Sequence, residues 1–127
     1  MNLFHGVDLI EVKRIASMLE THGDKFVNRC FTEREQSMSN VSSEATRSQR
    51  YAVRYAAKEA VLKALGTGLA GGIGWTDISI ERVDGPPKVI LEGEAARIAK
   101  SQGITSWVVS LSHTDTMAIA SVIGIGE

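Results

Sequence analysis

The sequence predicts an α+β fold, a largely antiparallel sheet with one long buried helix. Three observations carry that prediction. Short apolar or alternating segments stand near both ends of the chain, at residues 3–10 and again from Trp107 to Val122. A long alanine-rich run of helical spacing occupies the middle, at residues 47–65. The order strand, helices, strands, helix, hairpin keeps strands and helices from alternating regularly, which favours α+β over a parallel α/β sheet.

Each element has a local reason. Residues 3–10 are short and apolar, interrupted by Gly6, and read as a strand with Asp8 near its end. Val12, Ile15, Ala16 and Leu19 follow at helical spacing. Phe26, Val27, Cys30 and Phe31 suggest a second short helix, and Thr32 with Glu35 forms a capping box for a third. Residues 39–46 are polar and read as a loop. In the main helix, Tyr51, Tyr55, Leu62 and Leu65 mark the buried stripe, and Gly66 closes it with a left-handed cap. Five of the nine residues from Gly66 to Gly74 are glycine, so a turning loop comes next. Ile78 and Ile80 alternate as a strand, Gly85-Pro86-Pro87 turns the chain, and residues 89–91 return it. A surface helix spans residues 94–102 and ends at Gly103. Trp107, Val109 and Leu111, then Ala118, Ala120 and Val122, alternate on either side of Thr114-Asp115-Thr116 as a terminal hairpin.

The chain has 127 residues, 43% hydrophobic and 23% charged, and is read as a single domain spanning 1–127. A formal net charge of −1 gives no electrostatic footprint for nucleic acid. The single cysteine, Cys30, excludes a disulfide framework. No apolar run approaches the roughly 20 residues of a membrane span, and the first residues lack the basic and apolar regions expected of a signal peptide. The expectation is a cytoplasmic protein without nucleic-acid or membrane partners. A chain this short leaves much surface exposed, so association with copies of itself would help it.

Three constellations carry chemistry. From Arg47 to Lys63 the main helix holds five basic residues, Arg47, Arg50, Arg54, Lys58 and Lys63, against one acid, Glu59. A local excess of cations in a neutral chain suits an anionic ligand such as phosphate, and amides of Gly66-Thr67-Gly68 can approach one closely. The plainer reading is a solvated face with an i,i+4 Glu59–Lys63 pair and a simple helix cap. Asp8 and Glu59 form the second constellation. Two carboxylates reaching one point can hold Mg²⁺, whereas Asp8 alone reads as a helix N-cap or ion-pair partner. The third is Ser110 and Ser112 on one strand face with His113 at the turn, which lacks any known nucleophile motif. His5, His22 and Cys30 show no zinc-ligand spacing.

Taken together, "GVDLIEVKRI" at 6–15, "FTEREQ" at 31–36, "RYAAKEAVLKALGTG" at 54–68, "WTDISI" at 75–80 and "VSLSHT" at 109–114 resemble the holo-(acyl-carrier-protein) synthases. These are the small group of 4′-phosphopantetheinyl transferases, and the likeness runs through nearly the whole chain in the family's order. The resemblance implies a 4′-phosphopantetheinyl transferase-like fold and transfer of 4′-phosphopantetheine from coenzyme A to a serine of apo acyl carrier protein. It implies Asp8 and Glu59 as Mg²⁺ ligands. Arg54, Lys58, Lys63 and Gly66-Thr67-Gly68 would lie at coenzyme A, with His113 and Thr114 near its nucleotide. Glu59 is the first choice of general base and His113 the second. Acidic carrier proteins would dock on a locally basic surface at Arg14, Lys25 and Arg29, and the group's trimers imply a homotrimer with sites between subunits. A non-catalytic trimeric module binding nucleotide or carrier protein is the alternative, and the larger pseudo-dimeric transferases need about twice this length.

Overall fold

The computed structural model describes residues 1–127. Strand β1 (Asn2–Glu11) leads directly into α1 (Val12–His22), α2 (Asp24–Cys30) and α3 (Glu33–Ser39). The long α4 (Glu44–Leu65) follows, then a short 3₁₀ turn at Trp75–Asp77, β2 (Ile78–Glu81) and β3 (Lys88–Leu91). Helix α5 (Gly93–Ser101) precedes the terminal hairpin of β4 (Ile104–His113) and β5 (Met117–Gly126). The antiparallel, α+β expectation holds. The strands form two sheets, a three-stranded β1-β5-β4 and a two-stranded β2-β3, every pairing antiparallel.

The local devices behave as their chemistry demands. Thr32 accepts from the Glu35 amide while the Glu35 carboxylate accepts from the Thr32 amide, closing the capping box. Helix α4 begins three residues earlier than its apolar periodicity suggests, because Ser43 caps it by accepting from the Thr46 amide. The polar stretch at 39–46 is therefore a loop only between α3 and Ser43. At the other end Gly66 sits at φ 76°. Its amide bonds back to Leu62 O and Lys63 O, and the Thr67 amide to Leu62 O.

Helix α4 is the centre of the core. Ala52, Ala56, Ala57, Ala60 and Val61 are fully buried against β1 and β5, whose inward residues include Ile10, Ala118, Ala120 and Val122. Small side chains let the helix sit close to the sheet, and the closest approach is at Gly6. A Cβ there would lie 1.8 Å from the Ala60 carbonyl oxygen, so only glycine permits this crossing. The second sheet rests against the other side of α4. Odd-numbered residues of β2 face β3, whereas Ile78 and Ile80 turn their backbone groups toward α3 and α4.

Candidate active site

Strand β1 presents Asp8 on the same face as Gly6 and Ile10, toward α4. Because Gly6 lies against Ala60, Asp8 falls beside the next turn of the helix, where Glu59 and Lys63 project. Lys63 Nζ donates to Asp8 Oδ1 at 3.0 Å and to the Val7 carbonyl at 3.0 Å. Glu59 is half-buried, and burial pushes its carboxyl above the ordinary range, with the negative charge of Asp8 adding to the effect. Lys63 and Arg14 oppose that rise. Asp8 is therefore the ion-pair partner of Lys63 and not a helix cap, and the Glu59–Lys63 surface pair is replaced by a three-residue cluster. Two crowded carboxylates suit a divalent cation whose remaining ligands come from a phosphate-bearing substrate. No third carboxylate, histidine or cysteine joins them.

A second concave region lies across the sheet, at the end of β4. A cleft of about 550 Å³ is lined by Arg50, Arg54, Arg82, Met38, Ser112 and His113, among others. Arg54 is only 6% exposed, yet it has no carboxylate partner. Burial lowers its pKa, which Glu35 partly counters. Three guanidinium groups around one cleft make an anion site.

The structure thus brings Asp8, Glu59 and Lys63 together and keeps Arg54 with His113. The two groups occupy opposite edges of the β1-β5-β4 sheet, with α4 crossing between them. Within one chain His113 is not at the carboxylates. Its Nδ1 faces the Thr114 carbonyl at 3.2 Å, and the Thr114 hydroxyl accepts from the Thr116 and Met117 amides to shape the turn. Arg14 is exposed on α1 and within electrostatic reach of Glu59, whereas Lys25 and Arg29 are exposed farther on, along α2.

Two expectations are corrected. Lys58 does not face a ligand: its side chain is 0% exposed, paired with the equally buried Glu35 and donating to Ile78 O at 2.6 Å. Its spacing explains this, because position 58 completes the stripe of Tyr51, Tyr55, Leu62 and Leu65, and a buried ammonium must be paired. The Gly66 and Thr67 amides are not open to phosphate either, since both close the end of α4, and the Thr67 hydroxyl donates to Gly68 O at 2.9 Å.

Sequence reasoning missed three residues. Gly6 looked like an interruption of a strand, although it sets the approach of Asp8 to α4. Glu35 was assigned only its capping role. Tyr55 was read as core, but it stacks on Trp75 at 5.0 Å, and its hydroxyl feels Glu59, Arg14 and Asp8. Burial first, then Glu59, raises its pKa. Its position one turn before Glu59 was the available signal.

A glycine-seated carboxylate strand, a carboxylate–lysine turn on a buried helix and a separate arginine cleft suit a ligand that carries phosphate groups. Residues 5–117 match the 4′-phosphopantetheinyl transferase superfamily, and the chain belongs to that family. Within it, the chain is 41% identical over 124 residues to the holo-[acyl-carrier-protein] synthase of Koribacter versatilis, covering 97% of this chain and 98% of that one. It is 45% identical to the synthase of Desulforudis audaxviator, covering 95% and 91%. A solved holo-(acyl-carrier-protein) synthase of Bacillus anthracis, in complex with CoA (3′,5′-ADP), superposes with a TM-score of 0.78 at 31% identity, over 97% of this chain and 96% of that one.

Proposed function

We propose that this chain is a holo-(acyl-carrier-protein) synthase, moving 4′-phosphopantetheine from coenzyme A to a serine of apo acyl carrier protein and releasing adenosine 3′,5′-bisphosphate. The observation that carries this reading is the meeting of Asp8 and Glu59 beside Lys63. Asp8 and Glu59 would hold Mg²⁺. When bound, the ion neutralises charge on the pyrophosphate during transfer. Lys63, 55% exposed at its side chain, is free to turn from Asp8 toward a phosphate oxygen. In the transfer the serine oxygen bonds to phosphorus as the pyrophosphate P–O bond breaks. Glu59, acting through a bound water, is the first choice to receive the serine proton, and His113 the second. Arg54, with Arg50, Arg82 and His113, holds a phosphate group at the nucleotide end, with Thr114 shaping the turn beneath it.

The carboxylate cluster and the arginine cleft on opposite sheet edges support sites shared between subunits. The outer face of the β1-β5-β4 sheet carries Val7, Leu9, Val108 and Ile119, all exposed. Covering an apolar face with further copies favours association, and a homotrimer would set one chain's β1 edge near another's β4 edge. Arg14, beside Glu59, with Lys25 and Arg29, gives an acidic carrier protein its docking surface. No helix is long and apolar enough to cross a membrane.

Incubation with coenzyme A, Mg²⁺ and apo carrier protein tests the reading by mass spectrometry. The carrier is expected to gain one phosphopantetheine. An unchanged carrier mass together with measurable coenzyme A binding would leave only a non-catalytic binding module.

A further inference from the structure

The even-numbered edge of β2 has no partner strand, yet its backbone groups are satisfied by side chains. The Ile78 carbonyl accepts from Lys58 at 2.6 Å. The Ile80 amide donates to Glu35 Oε2 at 2.9 Å, and the Ile80 carbonyl accepts from Arg54 Nε at 3.1 Å. Glu35 Oε1 takes Lys58 and the Thr32 amide. The Arg82 amide reaches Met38 Sδ at 3.4 Å, and Arg54 Nη2 approaches the same sulfur at 3.8 Å. One continuous seam therefore runs from a fully buried ion pair, through the backbone of a single residue, to a guanidinium.

That guanidinium is not fully engaged. Arginine carries five N–H groups. Arg54 uses three of them, on Ile80 O, Arg50 O and Met38 Sδ, and it lines the cleft shared with Arg82 and His113. The Ile80 carbonyl fixes the fork at its root, so whatever fixes Ile80 fixes the direction of the remaining donors. Glu35 does this directly through the Ile80 amide, and Lys58 does it by holding Glu35 and Ile78 together.

We propose that Lys58 and Glu35 are positioning residues for ligand binding: their buried pair clamps the backbone at Ile80, which aims Arg54 into the arginine cleft. This rests on the reading above, in which Arg54 meets a phosphate of coenzyme A. It predicts that the pair and Arg54 act as one unit, because preorganised donors bind an anion better than the same donors left to rotate.

The test is a double-mutant cycle on the coenzyme A dissociation constant, measured by calorimetry in Mg²⁺ buffer without carrier protein. Four full-length proteins are compared: wild type, Arg54→Gln, Glu35→Gln/Lys58→Met and the triple variant. Arg54→Gln should weaken binding by about tenfold or more, as expected for a lost charged hydrogen bond. Glu35→Gln/Lys58→Met keeps the shape but replaces the charged acceptor for Ile80 with a neutral amide that Lys58 no longer holds to Ile78, and should weaken binding by a comparable factor. The triple variant should then bind about as well as Arg54→Gln alone, since coupled residues do not add. Full additivity, or wild-type affinity in folded Glu35→Gln/Lys58→Met protein, would overturn the proposal. Wild-type affinity in Arg54→Gln would instead overturn the assignment of the cleft to coenzyme A. If the double variant does not fold, Glu35→Gln alone takes its place in the same cycle with the same outcomes.

Discussion

Lys58 and Lys63 stand on one helix, five residues apart, in opposite environments. Lys58 is sealed among Glu35, Ile78 O and the Phe31 ring, whose centroid is 5.4 Å from Nζ. Lys63 reaches out from the edge of the helix to Asp8, with more than half of its side chain in solvent. Within a turn and a half, one helix thus carries one cation committed to the fold and another available to a ligand. Each ammonium meets one carboxylate and one backbone carbonyl, so the difference lies in solvent rather than in partners. A pair sealed from water has nothing left to offer, while a lysine with 55% of its side chain exposed can exchange partners.

The largest effect that would test this division lies in the carboxylate cluster. Asp8→Ala and Glu59→Ala should each lower the transfer rate by about a hundredfold to a thousandfold, with the circular dichroism spectrum unchanged. Near-wild-type turnover in either would move the chemistry away from this edge of the helix.

The two lysines give the direct contrast. Lys58→Met strands Glu35 as a buried unpaired charge and should lose about 3–5 kcal/mol of stability in urea unfolding. Lys63→Met should lose under about 1 kcal/mol of stability, as a surface pair does. It should instead weaken coenzyme A binding by about 1.5–3 kcal/mol. Equal stability losses would erase the distinction.

Gly6→Ala tests how the cluster is held. Overpacking at the Ala60 carbonyl should cost about 1–3 kcal/mol, and activity should fall further than stability alone explains, because Asp8 moves away from α4 with the strand. Thermal melting beside single-turnover kinetics separates the two effects.

Arg14→Glu should raise the Michaelis constant for the carrier protein well above any change for coenzyme A, and the gap should shrink at high salt. Equal carrier constants at low salt would remove Arg14 from the docking surface.

The smallest effect concerns stability without metal. Glu59 holds its proton more tightly when folded than an unfolded carboxyl does, so the folded state binds more protons between the ordinary value near 4.5 and its raised value. Stability therefore falls as pH rises through that window. At neutral pH with metal chelated, Glu59→Gln should raise Tm slightly, while transfer is lost. A lower Tm would show that Glu59 stabilises the fold.

How much of this was legible in the sequence depended on range. The capping box at Thr32 and the left-handed Gly66 involve neighbours within a few residues, and both are as read. The hairpin and the buried stripe of α4 follow from periodicity. Asp8 and Glu59 were legible as candidates because carboxylates on apolar elements need a reason. Their meeting depends on Gly6 crossing Ala60, a contact between positions 54 residues apart that no local pattern encodes. Lys58 was misread because its charge was weighed before its place in the stripe, and its partner Glu35 already had a sufficient local role. The Gly66 and Thr67 amides were misread because glycine richness does not say whether amides are already bonded.

The side-chain seam along β2 also bears on how this protein stays apart from its neighbours in a crowded cell. An unpaired strand edge is a template onto which another chain can add, the first step toward aggregation. Here the backbone donors and acceptors of that edge are buried and occupied by Glu35, Arg54 and Lys58, and charged side chains stand where an incoming strand would have to lie. Of the strand edges left unpaired, those at β1 and β4 are the ones beside which the carboxylate cluster and the arginine cleft lie.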